Sequence, residues 1–288
     1  VVLVPTMRKS GQGFTPWPLF FRISHILKNF TAVFSCAIVI IRGGINMPAD
    51  MTALTNCLAD MKDIYLNDPV ASVRGSNFIF PLPRYCISQL RETIAADVNI
   101  QIIPIGDMTC PRGKPHYPST SIDASGYQLM QEATLFGSHK NKDADIVLSQ
   151  YANGPQIIIG VRSQMSSVAK NLENYYEGII GECISLHDRF PMATIGYVYL
   201  LPTEPIKPGL TETVKLDRAE ELFEKITGRR DWRDAHDRYE HFAFLKVDFT
   251  QDPPDVLPTK ESLQVETFFD KLIDTHNDRN VFNQIKKR

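Results

Sequence analysis

Lys142-Asp143-Ala144-Asp145-Ile146-Val147-Leu148-Ser149-Gln150-Tyr151-Ala152-Asn153-Gly154-Pro155-Gln156-Ile157-Ile158-Ile159-Gly160-Val161-Arg162-Ser163-Gln164 decides the fold of this chain. Asp145 opens an apolar run, Asn153-Gly154-Pro155 makes a turn, and Ile157 to Val161 forms a second apolar run that surfaces at the polar trio Arg162-Ser163-Gln164. Two buried strands joined by a tight turn give that pattern. Working outward, Ser166 or Ser167 caps a helix. Its apolar residues Val168, Leu172, Tyr175, Tyr176, Ile179, Cys183, Leu186 and Phe190 keep the three-to-four spacing of one buried face. Pro191 ends that helix, and Ile195 to Leu201 reads as a third buried strand closed by Pro202. A helix returning between two strands of one sheet is the right-handed crossover of parallel strands.

At 288 residues the chain is long enough for one large α/β domain with a substantial core. A net charge of −2 and a pI near 6.4 exclude a broadly basic nucleic-acid coat but leave room for a locally basic cleft. The five cysteines, Cys36, Cys57, Cys86, Cys110 and Cys183, are scattered and form no C-x-x-C pair. Such a set argues against a zinc site or a disulfide framework and for a reducing compartment.

The first 46 residues differ from the rest: they hold five Lys or Arg and no Asp or Glu, and removing them takes the net charge from −2 to −7. A secretory or anchor segment, a transit peptide, and upstream DNA translated in frame all fit that composition. The last is favoured, because Arg42-Gly43-Gly44-Ile45-Asn46-Met47 can be encoded by a purine-rich ribosome-binding site followed by a start codon at Met47. The apolar run Phe30 to Ile41 is short against the ~20 residues of a membrane span, so no membrane association is expected. The working division is 1–46 as leader or non-native translation and 47–288 as a single α/β domain.

Elsewhere, Met51 to Leu66 and Arg84 to Ala96 read as helices, Val98 to Ile105 as a strand, and Cys110 to Pro118 as an irregular Pro- and Gly-stiffened loop. Ser125 to Phe136 reads as a helix carrying Glu132. Beyond the core, Pro205 to Gly209 is a linker, Leu216 to Thr227 a helix that Gly228 stops, Phe242 to Phe249 a strand, and Leu263 to Ile273 a final amphipathic helix. Arg229, Arg230, Arg233 and Arg238 lie among Asp231, Asp234 and Asp237, which neutralise them, and His187 reads as structural. There is no internal repeat.

The order helix, strand with an acidic residue, hairpin, strand with polar residues at its end, helix, strand resembles the core of the PD-(D/E)XK nucleases over about Ser125 to Pro202. The resemblance implies a restriction-endonuclease-like α/β core, a central mixed sheet flanked by helices, with extra helices at both ends. It also implies a type II restriction endonuclease: Mg²⁺-dependent phosphodiester hydrolysis, double-stranded DNA as partner, a homodimer where the DNA site is two-fold symmetric, a DNA methyltransferase as functional partner, and a bacterial or archaeal cytoplasmic location. In that family an aspartate on one strand and an acidic-x-lysine trio on the next hold the metal and position a water. Carboxylate oxygens suit Mg²⁺, and a nearby cation helps keep the attacking water deprotonated.

Asp145 matches the family's first aspartate. Where acidic-x-lysine is expected the chain has Gly160-Val161-Arg162, or Arg162-Ser163-Gln164 in the shifted register, and neither supplies a carboxylate or a lysine. Arginine stays charged and is a poor proton acceptor, while glutamine replaces the lysine in some family members. The missing carboxylate is therefore sought at Glu132 or on the following helix, where Lys170, Glu173 and Glu177 share a stripe. The expected catalytic set is Asp145, Arg162, Gln164, Glu132, Glu177 and Lys170, with Asp145, Glu132 and Glu177 on the metal. Ser163, Ser166, Ser167 and Asn171, at a junction carrying seven hydrogen-bonding side chains from Arg162 to Asn171, are expected to contact DNA. Arg112 and Lys114, with His116 and Tyr117 beside them, are expected to reach phosphates or guanine edges. A catalytically inactive nucleic-acid-binding relative of the same fold is the alternative. An unrelated small-molecule enzyme finds no support, since the chain has no G-x-G-x-x-G, P-loop or G-x-S-x-G.

Overall fold

The computed structural model describes residues 48–68, 77–104, 108–109, 117–165, 167–204 and 216–288, all within one compact unit. The leader assigned to 1–46, the loop residues Arg112 and Lys114, Ser166 and the linker Pro205 to Gly209 lie outside the described residues.

The chain runs α1 (Met51–Asn67), α2 (Pro81–Thr93), β1 (Ile100–Ile103), β2 (Met108–Thr109), β3 (Tyr117–Pro118), β4 (Tyr127–Phe136), β5 (Asn141–Gln150), β6 (Gly154–Ser163), α3 (Val168–Arg189), β7 (Thr194–Pro202), α4 (Leu216–Lys225), β8 (His241–Asp248), β9 (Asp255–Leu257) and α5 (Phe268–Arg279). Seven strands form one sheet in the order β1-β4-β5-β6-β7-β8-β9, and β2 and β3 form a separate two-stranded ribbon. The pairs β1–β4, β6–β7 and β7–β8 are parallel, and β4–β5, β5–β6 and β8–β9 antiparallel. It is an α/β protein built on a mixed sheet flanked by helices.

Strand alternation divides the core into two layers. Leu129, Ile146, Leu148, Ile157, Ile159, Val198, Leu200 and Leu245 pack against α1, α2 and α5. Val147, Ile158, Ile195, Tyr197, Tyr199, Phe242 and Phe244 pack against α3 and α4. Residues of β7 are buried throughout, as befits a central strand covered on both faces. Asp50 caps α1, its carboxylate accepting from the Thr52 and Ala53 N–H groups at 2.9 and 3.0 Å. Within β6 and β7 two glycines receive neighbouring side chains where a Cβ would stand: one at Gly160 would lie 2.5 Å from the Tyr197 ring, and one at Gly196 2.7 Å from Phe268. Cys57, Cys86 and Cys183 are free and buried. Among the described residues no helix is long and apolar enough to cross a membrane.

Two assignments are overturned. Ser125 to Phe136 is not a helix: Tyr127–Phe136 is strand β4, paired in parallel with β1 and antiparallel with β5. Tyr127, Gln131 and Thr134 fall at a spacing that imitates a helix face, but β5 pairs along nearly the whole segment and β1 along Tyr127–Met130, and the aromatic and β-branched residues suit the pleat. Tyr117 and Pro118, read as loop, pair with β2. The last helix starts five residues later than its apolar pattern suggests, after a 3₁₀ turn at Glu261–Leu263, and runs on to Arg279.

Candidate functional site

The β4–β5 pairing places Glu132 against Asp145. Gln131 faces Ile146 and Ala133 faces Ala144, so in constant register Glu132 and Asp145 stand opposite one another. The strands are distorted at this level: Glu132 has φ +58, in the left-handed region. Undisturbed alternation would put Leu129 and Ala133 on one face, yet Leu129 packs with α1 and α2, and Ala133 with α3. On β5, Ile146 and Ala144 are split between the layers in the same way. Such a backbone conformation in a non-glycine residue stores strain, and strained positions cluster at functional sites.

Both carboxylates line a cavity of about 280 Å³ with Val161, Arg162, Ser163, Met165 and, from the turn before α2, Phe78 and Ile79. Asp145 Oδ2 accepts the Val161 N–H at 2.6 Å, which leaves Oδ1 to meet a substrate or an ion. Burial pushes the Asp145 pKa up to about 7; the Val161 N–H and Arg162 work against that rise, and Glu182 and Glu132 add to it. Arg162 lies 5.4 Å over the Tyr175 ring of α3. Burial opposes its charge, but Tyr197, Glu182, Tyr199 and Tyr175 hold its pKa above the ordinary value. Glu182 is itself raised, first by burial, against the pull of Lys142 and Arg162.

Sequence expectations divide cleanly on this geometry. Asp145, Glu132, Arg162 and Ser163 come together at the cavity. Gln164 does not line it: buried, it accepts from Tyr199 Oη at 3.0 Å and donates to the Ser167 carbonyl at 3.2 Å, tying β6 to the start of α3. Lys170 and Glu177 are exposed on the solvent face of α3, and Glu173 reaches Arg218 of α4 at 3.9 Å, so none of the three completes a metal set. Ser167, at φ +54, is the residue before α3, and Asn171 contributes its backbone N–H to the Ser167 carbonyl at 3.1 Å. Reasoning from sequence missed Glu182, although it follows Tyr175 and Ile179 on one helical stripe, where an acidic residue among apolar ones marks a buried charge. Phe78 and Ile79 carried no signal at all. Arg229, expected to be neutralised by the interleaved aspartates, is instead buried against Glu240 at 2.6 Å.

Among the described residues no group of three or more His, Cys, Asp or Glu is placed to hold a metal ion. Two acidic residues lining one cavity nonetheless suit Mg²⁺, which keeps several waters and is commonly held by one or two carboxylates plus substrate phosphate oxygens. No protein-family model, curated protein or solved structure matches the chain.

Proposed function

We propose that this protein is a Mg²⁺-dependent DNA endonuclease of the type II restriction class, with a restriction-endonuclease-like core, acting in the cytoplasm of a bacterium or archaeon that also carries a matching methyltransferase. The observation that carries the reading is the opposition of Glu132 and Asp145 across two antiparallel strands, at a cavity closed by Arg162 and Ser163 at the end of β6. Glu132 and Asp145 would hold the ion. When bound, Mg²⁺ would stabilise charge on the scissile phosphate and lower the pKa of the attacking water.

The remaining steps belong to the chain. Arg162, cationic at every working pH, anchors a phosphate oxygen, and the Ser163 hydroxyl donates to another. The stacking of Arg162 on Tyr175 and the field of Glu182 hold its guanidinium in place. The Val161 N–H fixes the Asp145 carboxylate, and the apolar wall of Phe78, Ile79 and Met165 keeps bulk water from the far side of the cavity. A homodimer on a two-fold-symmetric DNA site is the expected assembly.

A catalytically inactive DNA-binding relative is the second reading, and one observation favours it. The family's acidic position falls on Gly160, and the Tyr197 ring fills the space a side chain would need there. Cleavage of mixed plasmid and phage DNA, with Mg²⁺ against EDTA, separates the two readings. Discrete Mg²⁺-dependent fragments lost in Asp145→Ala and Glu132→Gln support the nuclease. DNA that is shifted in a salt-dependent gel assay but never cut selects the binding protein, and neither cutting nor binding sinks both. A second readout needs no activity: Mg²⁺ or Ca²⁺ should raise the Tm of the wild type and leave that of Asp145→Asn unmoved.

A further inference from the structure

The parallel strands β6, β7 and β8 all end on the side of the Asp145 cavity, and a different kind of site lies at their beginnings. Glu240, just before β8, is fully buried, accepts from Arg229 at 2.6 Å and from the Ile195 N–H at 2.6 Å, and forms an ion pair with Arg279 at 2.7 Å. One carboxylate thus answers two guanidiniums. Arg229 Nε and Arg279 Nη2, both buried, have no hydrogen-bond partner, although Arg229 is only 1% exposed. A buried donor without an acceptor is costly, and an arginine N–H can only be satisfied by an acceptor.

Arg229 and Glu240 form the inner wall of a cavity of about 380 Å³ whose other lining residues include Arg230, His241 and Lys271. Arg230 and Lys271 have no ion-pair partner among the described residues. Of the carboxylates on the wall, Glu240 is saturated, Asp274 is held by Lys287 at 2.8 Å, and Asp278 is exposed. Arg229, Arg230 and Lys271 thus share the wall with three carboxylates, of which Glu240 and Asp274 are already paired. His241, on the wall, is pushed down to about 4 by burial and then by Lys271, Arg279 and Arg230. Next to the hub, His187 is pushed down to about 2 by burial, Arg229 and Arg279, so its 3.6 Å approach to Glu240 is not an ion pair.

We propose that this cavity is a second binding site, one that takes a phosphate group, free or esterified, between Arg229, Arg230 and Lys271. Arg229 spends Nη1 on Glu240 and Nη2 on the Trp232 carbonyl and keeps Nε without an acceptor, and Arg230 and Lys271 add two cations, a set of donors matched by an oxyanion with several oxygens. Small-molecule sites run from about 300 to 1,000 Å³, so the space admits an esterified molecule as well as a bare ion. Gly228, at φ +91 with nothing within 4 Å of where a Cβ would stand, leaves bare backbone on the wall for a ligand to approach. The site is separate from the Asp145 cavity, and its occupant is not DNA undergoing cleavage there.

The test is thermal denaturation of the full chain titrated with inorganic phosphate, and separately with AMP, at constant ionic strength maintained with sodium chloride. Wild type should show a saturable rise in Tm, and the Arg230→Ala/Lys271→Ala double variant should bind at least tenfold more weakly. Both replaced side chains lie outside the Arg229–Glu240–Arg279 hub, so the variant keeps its fold. AMP binding more tightly than phosphate identifies an esterified ligand; phosphate binding as tightly identifies the free ion. No rise in wild type, a rise matched by chloride, or an equal rise in the double variant overturns the proposal.

Discussion

Glu132 holds a left-handed backbone conformation in the middle of a ten-residue strand, which glycine would adopt without strain. The left-handed region costs an ordinary residue about 1–2 kcal/mol. Glu132→Gly is therefore expected to raise stability by up to about 1 kcal/mol, after allowance for the entropy glycine adds to the unfolded chain. Urea denaturation measures it, and a clear loss of stability would mean the carboxylate holds the distortion rather than suffers it. Asp145 is a companion case. Its carboxyl is buried beside Glu132 and within the field of Glu182, so Asp145→Asn should be more stable than wild type in EDTA at pH 8. An asparagine variant less stable than wild type would show that the Val161 N–H bond outweighs the buried charge. Asp145 was legible in the sequence because it opens an apolar run, although β5 itself begins four residues earlier at Asn141. Its partnership with Glu132 was not, since register between two strands is a property of the sheet and leaves no local mark.

At the scale of elements, β6 and β7 touch through Gly160, which receives the Tyr197 ring. Overpacking of a filled core costs about 1–3 kcal/mol, and Gly160→Ala is expected to fall in that range. Adding Tyr197→Leu should recover part of the loss in a double-mutant cycle; strict additivity would mean that the ring is not the obstacle. The unit from β5 through β6 and α3 to β7 could be read from sequence almost to its ends, because apolar runs, a glycine turn and a 22-residue amphipathic helix all point the same way. β4 could not. Its apolar and polar residues alternate imperfectly across the distortion at Glu132, and the broken period lends it a helical look. Strand β9, with three residues, is too short to carry a period, whereas β1 lies inside the strand expected from Val98 to Ile105.

Over the whole molecule, stability should depend on pH through buried imidazoles. His241 has its folded-state pKa depressed to about 4, below an unfolded value near 6.5. A depressed group contributes stability above its unfolded pKa and loses it as pH falls toward the folded one. Buried acids raised in the fold, Asp145 among them, act in the opposite sense, so the wild-type profile alone mixes the two. In the difference between wild type and His241→Gln the acids cancel. Between pH 7.5 and pH 5 that difference should move in favour of the glutamine variant by about 2 kcal/mol. A difference flat with pH would mean that the imidazole is already charged in the fold. The acidic net charge of the sequence foreshadowed none of this, because what matters is which charges the sheet and helices enclose.

The three buried thiols give each face of the sheet a chemical clock. Cys57 and Cys86 sit on α1 and α2, Cys183 on α3, and burial raises all three pKa values, that of Cys57 to about 12. An alkylating reagent attacks only the thiolate, so in the native state these positions are silent and each reacts when its own helical layer lifts from the sheet. With Cys36 and Cys110 replaced by serine, peptide mapping of alkylated protein would time the two layers separately in one sample. Mg²⁺ bound at the Asp145 cavity, which borders the α2 layer, should slow labelling of Cys86 more than that of Cys183.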